Sequence, residues 1–594
     1  MHRILILLIF LTTAIVSGQS EALAKNYFEQ GEYEKAAVFY ERLYHKNPGR
    51  LDYFIFIIQS YQQLERFAEA EKLLKSKLNG PNVFPQFYIE LGYNYSLQKK
   101  DSEAQQYYNL AIEYSFDKPM YAYSVGKAFW NYNLLDQAVI VYEKAMEMDP
   151  KKDFNLHLSQ IYGEQGKLLE MFSKYIDLIH SNPGNKAVAQ NTFSQYITED
   201  PANEANQILR KILLQKSQEN PDILYNQLLS WLFVQQNEFK KAFQQEKAIY
   251  KRLESQDLRG IIDLGIITIA EEDYENATDI INFVIENSAT LESKLQGYQF
   301  LMKIELATTD KKDFQKIEQH FENLFSEFGL GPNTYSLQVD YNHFLAFQAD
   351  KKELAIQNLK KLTKERLTSY QEARVKMELS DILVFDEKFN QALIYYTQIQ
   401  NKVKTDVLAQ EARFKVARTS YFKGDFQWAQ IQLDVLKKSA SQLIANDAMQ
   451  LSLMIRDNSL EDSTQSALKK YARADLLALQ NRNEEAIDLL ASLLTIHKGE
   501  KIEDEALLKQ GELFEKTGQF EKAESNYLLL IDFFKDDILA DDAYFRLAKL
   551  YENQLQDPGK AKELYEQIIF NFADSIYFVE ARRKFRTLRG DAVN

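Results

Sequence analysis

Apolar, small and aromatic residues recur along this chain at a fixed interval, and within each interval they follow the spacing of helical faces. One helix presents a bulky residue, then a bulky and a small residue side by side, then an aromatic residue. The next helix presents a small residue and an aromatic one four positions later. The interval is 34 residues in two interleaved series, which are Tyr27, Tyr61, Tyr95 and Phe129, and Ala36, Ala70, Ala104 and Ala138. A repeat of this length predicts stacked helix pairs rather than one closed core.

The regularity of the pattern varies along the chain and predicts five segments. After residues 1–18, a regular N-terminal array covers 19–183, and degenerate helical repeats cover 184–370. A second regular array covers 371–588, and a short tail covers 589–594. The strongest turn signal is Gly329-Leu330-Gly331-Pro332, which predicts a bend or joint between two runs of repeats.

The third repeat carries the most complete motif. Tyr88-x2-Leu91-Gly92-x2-Tyr95, followed by Ala104 and Tyr108, resembles the tetratricopeptide repeat, W-x2-L-G-x2-Y…A-x3-F, with Tyr in place of Trp. The resemblance implies an all-α fold, a right-handed superhelical solenoid of antiparallel helix pairs. The last repeats, from Tyr527 and from Tyr565, are similar to those of exported bacterial envelope proteins such as the Tol-Pal coordinator.

The first 18 residues have the composition of a secretory signal. His2 and Arg3 precede the mainly apolar run Ile4 to Val16, and the small residues Ser17 and Gly18 follow. This pattern predicts export to the periplasm of a Gram-negative bacterium, with any membrane association made through a partner; retention of the segment as an anchor is the alternative. The chain has 0 cysteines, so neither a disulfide nor a lipid-modified cysteine can form.

Charge and motif content narrow the classes of function. There are 71 basic and 86 acidic residues, for a net charge of −15, which argues against non-specific binding to nucleic acid or anionic lipid. Glycine-rich nucleotide-binding loops are absent from the sequence, and the 7 histidines are scattered without metal-ligand spacing. We therefore predict a protein that is not an enzyme and has no catalytic, cofactor or metal site.

A partner-binding groove is the remaining candidate site. In stacked helix pairs the first helices line the concave side, and residues beside the core positions face the groove. Aromatic residues next to Lys and Asn could hold an extended or helical segment of an envelope protein. The alternatives are that Tyr123 and Trp130 pack against neighbouring repeats, or that the groove binds carbohydrate or peptidoglycan. The candidate residues are Tyr93, Leu97, Tyr123, Lys127, Trp130 and Asn131.

Overall fold

A computed structural model describes residues 20–80, 83–253, 257–404, 406–439, 441–459 and 464–591. Over these ranges the chain forms 32 α-helices and no strand. The predicted all-α solenoid of helix pairs is confirmed. The predicted signal segment, 1–18, lies outside the described residues.

Contacts divide the chain into two units, Met1–Asp257 and Leu258–Asn594. In the first unit the described helices are α1 (20–29), α2 (Tyr33–Lys46), α3 (Leu51–Gln63), α4 (Phe67–Leu78), α5 (Gln86–Leu97), α6 (Asp101–Asp117), α7 (Ala122–Asn131), α8 (Leu135–Met148), α9 (Asn155–Glu164), α10 (Leu168–Ser181), α11 (Lys186–Phe193), α12 (Glu204–Glu219), α13 (Ile223–Gln235) and α14 (Phe239–Arg252). Two short 3-10 turns precede α7 and α11, at Pro119–Tyr121 and Pro183–Asn185.

The second unit continues with α15 (Arg259–Ala270), α16 (Tyr274–Asn287), α17 (Leu291–Thr308), α18 (Phe314–Phe328), α19 (Tyr335–Phe347), α20 (Lys352–Leu362), α21 (Ser369–Phe385), α22 (Phe389–Lys402), α23 (Val407–Phe422), α24 (Phe426–Ser439), α25 (Gln442–Asp457), α26 (Ser466–Leu479), α27 (Asn483–Ile496), α28 (Glu503–Lys516), α29 (Phe520–Phe533), α30 (Ala540–Asn553), α31 (Pro558–Asn571) and α32 (Phe578–Arg589). Its 3-10 turns are Lys311–Asp313 and Pro332–Thr334.

Each pair consists of a leading and a trailing helix, and the small residues explain how closely they pack. The Tyr142 ring of the trailing helix α8 lies over Gly126 of the leading helix α7. A Cβ atom on Gly126 would lie 2.5 Å from the Cζ atom of Tyr142, closer than real side chains approach. Trailing helices also touch the previous trailing helix, as α8 does with α6. The core therefore continues from repeat to repeat, with no single centre.

The turn inside most pairs contains one residue with a left-handed backbone, and these residues mark the period. In the first unit they are Gly31, Glu65, Lys99 and Asn133, each 34 positions after the one before. In the second unit Asp350, Glu387 and Gly424 also have positive φ, and they lie about 37 apart (387 − 350 = 37 and 424 − 387 = 37). The 34-residue interval therefore does not extend into these repeats, whose leading helices α21 and α23 have 17 and 16 residues.

An extra helix interrupts the second unit. α25 packs on α24, whereas α26 packs back on α23. The amide Nε2 of Gln480 donates to the Phe385 carbonyl over 2.9 Å, and Arg473 pairs with Glu387 at 2.7 Å. α25 is thus an insertion, and the contact of α26 with α23 continues the stack of helix pairs beyond it.

The turn at 329–332 lies inside the second unit, where side chains hold it. The Thr334 hydroxyl donates to the Gly329 carbonyl over 2.8 Å, and the Gln338 amide donates to the Gly331 carbonyl over 3.0 Å. The boundary at 257/258 comes from contacts between residues. The predicted boundaries at 183/184 and 370/371 come from the regularity of the repeat pattern in the sequence. Those boundaries stay predictions.

Candidate functional site

The leading helices α5, α7 and α9 present successive polar and aromatic side chains on one side of the first unit. Tyr123, Lys127 and Asn131 lie four positions apart on α7, so they share one face of that helix. All three are exposed, and Tyr123 keeps 48% of its surface accessible. We call these three residues the α7 strip. On α5, Leu97 is exposed and Tyr93 is partly buried.

Trp130 of α7 is held against the next repeat. Its indole Nε1 donates to an Oε2 atom of Glu164, at the end of α9, over 2.9 Å. Its ring meets the His157 imidazole edge to face, with centroids 6.3 Å apart. Trp130 thus packs against a neighbouring repeat, which is one of the alternatives given by the sequence. Its indole is oriented by α9 and is only partly exposed.

Tyr123 has both a packed side and an open side. Its ring contacts His157 at a centroid distance of 5.6 Å, and the Lys127 ammonium lies 5.7 Å from the ring centroid. These contacts restrict the ring before any partner arrives, which lowers the entropic cost of binding.

His157 contacts both Tyr123 and Trp130 of this surface. The sequence analysis did not select it. Tyr142 and Phe154 also contact its ring, at centroid distances of 5.4 and 5.9 Å. Its Nδ1 atom is buried and has no hydrogen-bond partner among the described residues. Burial lowers the pKa of His157, and the charge of Lys127 lowers it further, so the imidazole is neutral at pH 7. His157 is one of 7 scattered histidines, and no local sequence pattern distinguishes it from the others.

The other end of the surface is closed by a buried hydrogen-bond network. Tyr93 stacks on Tyr132 with ring centroids 4.2 Å apart. The Tyr132 hydroxyl donates to Glu90 Oε2 over 2.5 Å and accepts from the Gln59 amide over 2.8 Å. Glu90 is fully buried, and burial raises its pKa to about 7. Tyr93 is thus oriented by Tyr132, which joins three leading helices.

Within the described ranges, no cluster of three or more His, Asp or Glu side chains could hold a metal ion. No described helix is long and apolar enough to span a bilayer. The six candidate residues stay a prediction as a binding site.

Comparison with known families identifies the repeat. Residues 22–49, 505–536 and 542–575 match one family model of the tetratricopeptide repeat, and residues 85–118 and 121–152 match a second. The resemblance predicted for the third repeat is confirmed at these positions. No curated protein sequence matches the chain, and no named relative supports the likeness to the Tol-Pal coordinator.

Two solved structures are similar over most of their length, at low scores. One is the crystal structure of the APC/C hetero-tetramer Cut9-Hcn1, with 14% identity, 96% of each chain covered and a TM-score of 0.25. The other is the structure of Naa15/Naa10 bound to HypK-THB, with 12% identity, 97% of this chain and 91% of that chain covered, and a TM-score of 0.26. Neither score supports an argument about partner or activity.

Five segments of the all-α stack of helix pairs therefore match the tetratricopeptide repeat. Folds of this type generally mediate protein–protein interactions and act as scaffolds. The residues of the α7 strip lie inside one of the matched repeats, 121–152.

Proposed function

We propose that this protein is a non-enzymatic scaffold of the bacterial cell envelope that binds a segment of another protein on the α5, α7 and α9 surface. The observation that carries the proposal is the α7 strip, which is exposed while its neighbours Trp130 and His157 are fixed by contacts within the fold. Restrained aromatic and polar groups beside one another are typical of binding hot spots.

The chemistry of the strip indicates which segment it would hold. Tyr123 offers an aromatic face, Lys127 a cation and Asn131 an amide that can pair with peptide groups. A peptide carrying a carboxylate near an apolar residue would satisfy Lys127 and cover Tyr123 at the same time. Binding requires no chemical step.

Location in the periplasm is part of the same proposal. Its support is the secretory pattern of residues 1–18. Fusion of residues 1–30 to a reporter that is active only after export tests this point separately.

Site-specific crosslinking in cells tests the binding surface. A photoreactive phenylalanine replaces Tyr123 in one variant and Ile140 in another. Ile140 lies on the trailing helix of the same repeat and is also 48% exposed, so it is a matched control. We expect one discrete protein adduct from position 123, none from 140, and loss of the adduct when Lys127→Glu is added.

The proposal is contradicted if both positions give the same adducts or if neither gives any. Tight binding of purified protein to peptidoglycan strands, weakened by Tyr123→Ala, would instead favour the carbohydrate-binding alternative.

A further inference from the structure

The last helix, α32, has no trailing helix packed on it within the described residues. In earlier repeats the trailing helix lies between its own leading helix and the previous trailing helix, as α8 does with α7 and α6. The corresponding space beside α31 and α32 is a groove of about 440 Å³. Its lining residues are Ile569, Phe570, Arg582, Phe585, Arg586, Arg589 and Asp591.

The equivalent positions of α28, α30 and α32 can be aligned through a shared contact. Gly511 of α28 lies beneath the Tyr527 ring, and the Tyr527 hydroxyl donates to Glu515, four residues later. In α30, the Tyr565 hydroxyl donates to Glu552 over 2.8 Å, which places Ala548 in the same small-residue position.

A cation from the next leading helix reaches the same glutamate each time. Arg546 lies 3.8 Å from Glu515, and Lys584 lies 2.8 Å from Glu552. Arg546 precedes Ala548 by two positions, and Lys584 precedes Arg586 by two. Arg586 therefore occupies in α32 the position that holds a small residue in α28 and α30, so a tyrosine of a docking helix would find no space there.

Charge sets this groove apart from the rest of the chain. The sequence has a net charge of −15, yet α32 carries five cations and one acid, Glu580. The groove already holds one carboxylate of the same chain: Arg589 Nε donates to Asp591 over 3.0 Å, and Arg586 Nε lies 3.7 Å from it. Phe570 at the groove edge is 74% exposed, as is Phe533 (75%) at the end of α29, so this exposure is not particular to the groove.

We propose that the groove between α31 and α32 docks an acidic amphipathic helix of a partner protein, in the position that trailing helices take in the earlier repeats. Its apolar face covers Phe585, and a carboxylate replaces the usual tyrosine and binds Arg586. Charge complementarity and the pairing already made with Asp591 support this occupant.

Two other occupants fit the observations less well. An anionic membrane would repel a chain whose net charge is −15. Copies of a chain with a net charge of −15 repel one another.

A helix from the chain itself supplies the probe. A capped, labelled peptide of residues 520–533 with Tyr527→Glu is titrated with the full chain and followed by fluorescence anisotropy; the unaltered peptide is the matched control. We expect the Tyr527→Glu peptide to bind about tenfold more tightly than the control and to lose affinity with added salt.

Variants of the full chain locate the binding. Arg586→Glu should abolish binding of the peptide, and Arg582→Glu, at the exposed rim, should weaken it without disturbing the fold. Arg583→Glu makes the same charge change on the same helix outside the groove lining and should leave binding unchanged. Circular dichroism verifies that each variant is folded.

Four results would overturn the inference. They are equal binding of the two peptides, an equal loss from Arg583→Glu and Arg586→Glu, binding of phosphatidylcholine–phosphatidylserine vesicles without binding of the peptide, and dimerisation of the chain that Arg586→Glu abolishes. Because the α7 strip lies in the first unit, none of these results bears on the proposed function.

Discussion

The closest packing of paired helices requires glycine, whose side chain is a single hydrogen atom. Gly126 faces the Tyr142 ring so closely that an added Cβ would lie 2.5 Å from it. The ring is fully buried, and neighbouring side chains fix its position. The glycine is therefore required for the close approach of α7 and α8, not for backbone freedom.

We predict that Gly126→Ala destabilises the fourth repeat by about 1–3 kcal/mol, because the buried ring has little room to move. Hydrogen exchange of peptides from α7 and α8 measures the local free energy of opening. Gly49→Ala is the control, since no atom lies within 4 Å of a Cβ built there. Equal protection factors in the two variants would contradict this prediction.

At the scale of the elements, salt bridges connect successive leading helices of the second unit. Lys415 of α23 pairs with Asp381 of α21 at 2.6 Å, with side chains 26% and 27% exposed. Lys509 of α28 pairs with Asp475 of α26 at 3.1 Å. Nearby carboxylates outweigh burial and raise the pKa of Lys415. These pairs add a polar link between repeats whose cores already touch.

We predict that Lys415→Met lowers the local stability of α21 and α23 by about 1–2 kcal/mol, since the partly buried Asp381 loses its cation and partial exposure screens the effect. A double-mutant cycle with Asp381→Asn, measured by hydrogen exchange, should give a coupling energy of about 1 kcal/mol. Lys25→Met breaks a pair whose side chains are 66% and 62% exposed and should change nothing measurable. A coupling energy of zero would show that the salt bridge adds no stability.

Sequence periodicity could predict the helix pairs because each pair depends on residues close together in the chain, such as Gly126 and Tyr142. The contact of Tyr132 with Glu90 spans 42 positions and has no local pattern. The same holds for His157, which contacts rings on α7 and α8 and the ring of Phe154 in the turn before α9. The prediction extended the 34-residue interval into the regular array 371–588, where the longer spacing around Glu387 contradicts it.

At the scale of the whole molecule, a stack of repeats has no common core, so the effect of a buried charge stays within its own unit. Each unit contains carboxyl groups whose pKa is raised by burial. In the first unit the fully buried Glu90 is one of them, and burial raises its pKa to about 7. In the second unit the partly buried Glu505 is another, and its pKa is raised by burial and by the adjacent Asp504. Both carboxyls hold a proton more tightly in the folded protein than in the unfolded chain.

We predict that the first unit loses stability as the pH rises from about 4.5 to 7, because over this window the folded state binds more protons at Glu90 than the unfolded chain does. The difference between about 7 and the ordinary value of 4.5 corresponds to about 3 kcal/mol. Glu90→Gln should therefore stabilise α5 by up to about that amount near pH 8 and by almost nothing near pH 4. His157 opposes the trend, since its lowered pKa costs stability as the pH falls. This contribution is the same in the unaltered protein and in the Glu90→Gln variant. Hydrogen exchange in α5 measures the effect, and Glu113→Gln, on the exposed face of α6, is the control. If the effect of Glu90→Gln does not depend on pH, Glu90 is ionised in the folded protein throughout this range.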